Sequence, residues 1–362
     1  MHFKTAYMTR PVTALLGALA LLSGGCGRDN SSVRIIADRD SLLTIEVISC
    51  RDSVLNPGSP GCEDVKYGFE GGRVVKLGGM YHLVTAEMAG DPFCVNMRIA
   101  HWASVDGITW NRLGTLRRSD GDFTGNSQRA APWGPMVVFA EEENRWHMVY
   151  VNYRSKPEYH NYDGVIQDAV SDSAGIDGIG GPYSDANVLL RYDVDPDPWE
   201  GLQGTDSFFP YRVGDRWYGF YGSATIELWG KGCKWNIGLA SADRIGGPWK
   251  RMSAMNPIDS TNFAENPIVS RLDNGLYIAI VDGGPWVNKT GYILSWDGIH
   301  WSHVRHIDFE PKVRRWWHEM RTPLCLIKEP DGTYTMFFTA FKDRPAKFGM
   351  LSKLTLRLTY NG

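Results

Sequence analysis

Ala264-Glu265-Asn266-Pro267-Ile268-Val269, then Asn274-Gly275, then Tyr277-Ile278-Ala279-Ile280-Val281, reads as a strand, a tight turn and a second strand. The apolar runs are short and rich in β-branched residues, and Asn-Gly tolerates the positive φ of a hairpin turn. The same phrase recurs four times along the chain. One copy is Phe69-Glu70-Gly71-Gly72-Arg73-Val74-Val75, Gly78-Gly79, Tyr81-His82-Leu83-Val84. Another is Ala131-Pro132-Trp133-Gly134-Pro135-Met136-Val137-Val138 followed by Trp146-His147-Met148-Val149-Tyr150. A third is Thr205-Asp206-Ser207-Phe208-Phe209-Pro210, Gly214-Asp215, Trp217-Tyr218-Gly219-Phe220-Tyr221. The last is Met320-Arg321-Thr322-Pro323-Leu324, Asp331-Gly332, Tyr334-Thr335-Met336-Phe337-Phe338.

A further strand follows each hairpin, at Arg98–Ala103, Ile166–Val170, Asn236–Ala240, Gly291–Leu294 and Phe348–Leu351. Four of these end in a repeated signature. Ser-x-Asp-Gly-x-x-Trp closes two, at Ser104–Trp110 and Ser295–Trp301, and Gly-Gly-Pro-aromatic closes two, at Gly180–Tyr183 and Gly246–Trp249. Both signatures are turn chemistry leading to a short outer strand. Five copies of a four-stranded unit, with no helical periodicity between Leu42 and Leu358, predict an all-β chain folded as a five-bladed β-propeller. Leu354–Leu358 alternates like a strand and is expected to pair with Leu43–Val47, closing the ring across the two ends of the chain.

The first residues have a different character. Lys4 and Arg10 precede a compact apolar run, Val12–Leu22, and then come Ser23-Gly24-Gly25-Cys26. The run is shorter than the roughly 20 residues a bilayer span needs. It has the layout of a signal peptide, and its end resembles the lipobox of bacterial lipoproteins. The resemblance implies residues 1–25 as a lipoprotein-type signal, a membrane anchor through lipidated Cys26, residues 26–40 as a tether and 41–362 as the propeller. The expected place is the bacterial cell envelope, at the outer membrane or in the periplasm. Five cysteines remain beyond Cys26, and Cys50 and Cys62, flanking Pro57-Gly58-Ser59-Pro60, are the best candidate disulfide. A net charge of −3 indicates no nucleic-acid partner, and no Cys/His spacing marks a metal site. The 40 glycines suit many tight turns, and the 14 tryptophans suit strand cores or platforms for sugar rings.

In a propeller the innermost strand of every blade starts at one mouth of the axis. Three of the five starts are acidic: Glu70, Asp206 and Glu265. Carboxylates gathered at an axis repel one another unless they are protonated, hydrogen-bonded or matched by a cation, and such a cluster suits acid/base chemistry. With these acids in their blades, the chain resembles the five-bladed propeller glycoside hydrolases of family 43, relatives of family 32. The resemblance implies a glycosidase acting on a polysaccharide or oligosaccharide, with a furanoside such as an arabinofuranoside favoured. It implies Glu70 as base, Asp206 in Thr205-Asp206-Ser207 as modulator and Glu265 in Glu265-Asn266-Pro267 as acid. Two positions differ from the family pattern: Glu70-Gly71 stands where the family has Asp, often before Pro, and the blade-two step carries Trp133 and no acid. Arg73, Trp133, Trp286, His318 and Arg321 are candidate substrate-binding residues. Arg73 and Arg321 are alternatively partners of the acids. No cofactor is required, although a structural cation such as calcium on the axis is a further reading of the acids. Two other functions fit the same scaffold: glycoside phosphorolysis, with Arg73, Arg129 and Arg321 holding phosphate, and a non-catalytic surface propeller that binds glycans.

Overall fold

The computed structural model describes residues 35–39, 42–225, 234–283, 289–310, 312–313, 316–342 and 349–361. The signal and lipidation reading at residues 1–26 lies outside them, as do Cys233, one of the five further cysteines, and the candidate Trp286.

Two strands come first, β1 (Ile35–Arg39) and β2 (Leu43–Leu55). Four four-stranded antiparallel blades follow, the first joined to the last strand of the chain by one parallel bridge between Gly68 and Gly349. The first holds β3 (Gly68–Leu77), β4 (Met80–Met88), β5 (Met97–Ser104) and β6 (Asn111–Arg118). The second holds β7 (Ala131–Ala140), β8 (Arg145–Lys156), β9 (Tyr159–Ser171) and β10 (Tyr183–Arg191). The third holds β11 (Asp206–Val213), β12 (Arg216–Thr225), β13 (Lys234–Ala242) and β14 (Lys250–Arg251). The fourth holds β15 (Glu265–Arg271), β16 (Tyr277–Asp282), β17 (Thr290–Ser295) and β18 (Arg305–Ile307). The last strands are β19 (Glu319–Pro323), β20 (Ile327–Lys328), β21 (Tyr334–Phe341) and β22 (Gly349–Tyr360).

The fifth blade draws on both ends of the sequence. Its order is β19, β21, β22, β2, β1, with β20 beside β21. Ile45 pairs with Leu358 and Val47 with Leu356, the pairing expected from the alternating pattern. The stretch 26–40, read from sequence as tether, also contributes to the blade, because Ile35–Arg39 pairs with β2 as the outermost strand. The innermost strands touch in cyclic order: β3 with β7, β7 with β11, β11 with β15, β15 with β19, and β19 with β3. The chain is therefore an all-β, five-bladed propeller.

The core is divided among the gaps between blades. Val84 and Ile99 of the first blade meet Met148 and Tyr150 of the second. Ala131 and Val151 of the second meet Phe208 and Tyr221 of the third. Phe220 and Ile237 of the third meet Ile268 and Ile293 of the fourth. Ile278 and Tyr292 of the fourth meet Phe338 and Leu354 of the fifth. Phe337 and Leu351 of the fifth return to Leu83 and Trp102 of the first. A middle strand thus buries both faces, and all eight residues of β5 and of β21 are buried. This explains why the sequence shows continuous apolar runs rather than alternation.

The Asp-Gly signatures are turns with a packing role. Asp106 accepts the amides of Ile108 and Thr109 at 2.8 Å, and Asp297 accepts those of Ile299 and His300 at 2.8 Å. Each turn delivers its tryptophan to the preceding blade: Trp110 packs edge-on to Phe337 at 5.5 Å, and Trp301 lies 5.2 Å from Phe220. Close backbone approach fixes glycine where blade five meets blade one. A Cβ on Gly68 would stand 1.9 Å from the Gly349 carbonyl oxygen.

The expected Cys50–Cys62 disulfide is not formed. The Cys50 thiol donates to Asp52 at 3.2 Å, whereas Cys62 is buried in the cluster that holds Trp102. Each sulfur sits in surroundings of its own.

Candidate active site

A single distortion repeats at the start of every innermost strand. The register slips by one residue between Glu70 and Gly72, Trp133 and Met136, Asp206 and Phe209, Glu265 and Ile268, and Met320 and Pro323. These are β-bulges, which bend a strand and re-aim a side chain. In four blades the next residue takes a positive φ: Gly71 at 69°, Gly134 at 55°, Ser207 at 51° and Asn266 at 51°. Ser and Asn at two of these positions are held by hydrogen bonds. Ser207 Oγ donates to Asn266 Oδ1 at 3.0 Å, and Asn266 Nδ2 donates to Asp282 Oδ2 at 2.7 Å. The bulges that carry Asp206 and Glu265 are tied together by this chain of bonds.

Glu70, Trp133, Asp206, Glu265 and Arg321 are thereby brought to one cavity of about 390 Å³. Trp133 occupies in blade two the bulge position that carries an acid in blades one, three and four. Phe93, His160 and Trp235, from loops and strand ends at the same mouth, form further wall.

Arg321 is the centre of charge. Its Nη2 lies 3.3 Å from Glu70 Oε1 and 3.3 Å from Glu265 Oε2. Burial works against the guanidinium charge, but the carboxylates of Glu265, Asp282, Glu70 and Glu319 outweigh it and hold its pKa well above the usual range. Burial also dominates at Glu265 and holds its carboxyl well above the ordinary carboxylate range. Arg321 opposes that shift, and Asp282, Asp206 and Glu70 add to it. Asp206 is raised too, by burial, against the contacts it receives from Tyr153 and Ser207. Ser207 N donates to Asp206 Oδ1 at 2.6 Å. The raised carboxyl of Glu265 thus stands beside two other acids and the buried Arg321. The arrangement can protonate a leaving oxygen and activate a nucleophile in the same space.

The remaining sequence candidates lie apart. Arg73 is half-buried further along β3, where Nη1 donates to the Val137 carbonyl at 2.8 Å and the guanidinium stacks on Phe209. It does not line the cavity. His318 is exposed, its ring bonded to the Lys342 carbonyl, and it too is outside the lining. Among the described residues no group of three or more His, Cys, Asp or Glu side chains is arranged to hold a metal ion; the cation that meets these acids is Arg321. Residues not singled out from the sequence complete the site: Tyr153 and Gln203 in the lining, and Asp282 directly across the ladder from Glu265. Asp282 ends the second strand of its hairpin opposite Glu265, a position the sequence repeat marks, whereas Tyr153 lies two residues beyond Val151, the partner of Trp133, where the repeat marks nothing. Gln203 lies in a loop without a repeat and carries no such signal.

No protein-family model matches the chain, and no curated protein matches it significantly. Solved structures do share its fold. BT0996, solved in a complex with RGII, superposes with a TM-score of 0.65 at 15% identity, covering 84% of this protein and 90% of that one. Zg3597, a family 117 glycoside hydrolase from the marine bacterium Zobellia galactanivorans, gives 0.62 at 12% identity, covering 85% and 90%. An α-L-arabinofuranosidase from Lactobacillus brevis gives 0.55 at 12% identity, covering 79% and 90%. The propeller of this protein is thus one shared with glycoside hydrolases.

Proposed function

We propose that this protein hydrolyses glycosidic bonds of a polysaccharide or oligosaccharide by carboxylate acid/base catalysis. The observation that carries the reading is Arg321 standing between Glu70 and Glu265, 3.3 Å from each, in a cavity where burial raises the Glu265 carboxyl above the ordinary carboxylate range. A glycosidase needs two carboxyl groups in opposite protonation states on either side of the scissile bond. Here Glu265 is the more buried of the pair, and it donates its proton to the leaving oxygen. Glu70, the more exposed of the two and held by Arg321 Nε and Nη2, activates the attacking water or attacks the sugar itself. Asp206, close by, adds to the raised pKa of Glu265 and thereby supports its role as acid. The fold shared with an arabinofuranosidase and with a family 117 enzyme supports the same class of reaction.

Product analysis tests it. The purified protein is incubated with a panel of plant and bacterial glycans, with and without inorganic phosphate. Reducing sugar released independently of phosphate is the expected result. Sugar phosphates formed only with phosphate would make the enzyme a phosphorylase, and binding without turnover would make it a glycan-binding propeller.

A further inference from the structure

Three buried polar atoms in the walls of the cavity have no hydrogen-bond partner: Trp133 Nε1, Gln203 Oε1 and Arg321 Nη1. Such groups are costly to bury alone, and in native proteins each calls for an explanation. Two are donors and one is an acceptor. A ring carrying several hydroxyls meets that demand, since every hydroxyl both donates and accepts.

The hydrogen bonds around Gln203 dictate the orientation of its amide. Asp206 accepts from the Ser207 amide and from the Tyr153 hydroxyl. With its proton committed to Asp206, the Tyr153 oxygen accepts from Gln203 Nε2 at 3.1 Å. The amide of Gln203 is therefore fixed with nitrogen toward Tyr153 and Oε1 turned from it. The backbone is fixed as well. Gly164 N donates to Gln203 O at 2.8 Å, and Gly204 bridges to Gly164 so closely that a Cβ there would stand 2.1 Å from the Gly164 nitrogen. Gln203 is clamped between the second and third blades and only 2% exposed. Rigid support of this kind is what recognition of one hydroxyl needs.

We propose that Gln203 is a specificity-determining residue of this cavity: its Oε1 accepts a hydrogen bond from one ring hydroxyl of the substrate, while Trp133 Nε1 and Arg321 Nη1 donate to two other substrate oxygens. The inference rests on the carbohydrate reading given above and adds the groups that choose among sugars. The three atoms are buried in the cavity wall, so a bound sugar must displace part of that wall to meet them. A sugar lacking the hydroxyl that Gln203 reads leaves a buried acceptor unpaired, and the site rejects it.

The test uses the purified protein and its Gln203→Met variant, which keeps the length of the side chain and removes both ends of the amide. Methyl glycosides of L-arabinofuranose, D-xylose and D-galactose, and singly deoxygenated forms of each, are titrated by calorimetry. Hydrolysis of the matching aryl glycosides is followed in parallel, and thermal melts establish that the variant is folded. Tyr153→Phe, which frees the amide of Gln203 without touching it, serves as a second variant. The expected result is that one deoxy analogue binds the unaltered protein roughly tenfold to hundredfold more weakly than its parent. In Gln203→Met the parent weakens to the level of that analogue, and the discrimination disappears. In Tyr153→Phe discrimination shrinks while some affinity persists. If the unaltered protein binds and hydrolyses a sugar, and Gln203→Met keeps both affinity and discrimination, the role of Gln203 is overturned and the hydrolase reading stands. If Gln203→Met loses discrimination but no glycoside is hydrolysed, recognition stands and the hydrolase reading falls. Failure of the unaltered protein to bind any of the sugars overturns both.

Discussion

Burial raises the Glu265 carboxyl although an arginine lies 3.3 Å away, and that arginine is shared with Glu70. A proton held there is useful only to a leaving group that needs one. Glu265→Gln keeps the shape and removes the donatable proton. Turnover of a substrate with a poor leaving group is expected to fall by about 10²–10⁴, the usual scale of general acid catalysis. An aryl glycoside with a very acidic leaving group is expected to lose far less, whereas Glu70→Gln lowers both alike. Initial rates on the two substrate types decide this, and equal losses for Glu265→Gln would remove it from the acid role. Stability gives an independent reading. The folded pKa of Glu265 is raised above its ordinary 4.5, so the folded state binds the extra proton at intermediate pH. The contribution is fully present below the unfolded pKa and is lost as the pH rises toward the folded one. A glutamine never ionises and escapes that loss. The melting temperature of Glu265→Gln relative to the unaltered protein is therefore expected to climb between pH 5 and pH 8. A constant difference across that range would mean an ordinary carboxyl.

The strand that carries each acid contributes a bulge, and the bulge depends on the residue after the acid. Asn266 takes φ 51° and bonds both Ser207 and Asp282. Asn and Gly tolerate this conformation, while a side chain without local hydrogen bonds costs roughly 1–2 kcal/mol there. Asn266→Ala is thus expected to lose about that much stability together with activity. Asn266→Gly keeps the backbone, loses the two side-chain bonds, and lowers kcat with a smaller change in stability. Denaturant melts and kcat for the pair separate backbone strain from positioning; identical stabilities would show that the bulge does not need a left-handed residue. The acids were legible in the sequence because a bulge repeats at the same step of each hairpin, so Glu70, Asp206 and Glu265 align by inspection. Trp133 aligned as well, as the non-acidic member of the set. Tyr153 and Gln203 were not legible. What matters about them is a hydrogen bond that crosses between β8 and a loop 50 residues later, and no local pattern encodes it. Arg73 and His318 show the reverse. Both stand next to repeat positions, yet three further residues along β3 carry Arg73 away from the cavity, and one residue before β19 leaves His318 in solvent.

The whole ring depends on one joint between distant parts of the chain, and the joint was readable because its two strands alternate. Leu43, Ile45 and Val47 point into the gap between the fourth and fifth blades and are at most 1% exposed, while Thr44 and Glu46 lie on the other, half-buried face. The earlier strand β1 gave no comparable signal, being five residues long and ending in Asp-Arg. In the closed ring β2 covers β22, which would otherwise present an unpaired edge. Each of the three side chains contributes about 1.5–3 kcal/mol by burial, so this single strand matters on the scale of total domain stability. Ile45→Asp places an unpaired charge in the same gap as Ile278, Tyr292 and Phe338. It is expected to cost at least about 3 kcal/mol, the cost of an uncompensated buried charge, and to expose β22 to aggregation. Thr44→Asp, one residue away on the other face, is expected to change stability by less than about 1 kcal/mol. The candidate active site senses the difference through the fifth blade, because β22 holds β21 and β21 pairs with β19, the strand that carries Arg321. In thermal melts followed by activity, Ile45→Asp should therefore lose structure and turnover in one transition at lower temperature, with Thr44→Asp overlaying the unaltered protein. Turnover that survives after the ring has opened would show that the five blades do not act as one cooperative unit.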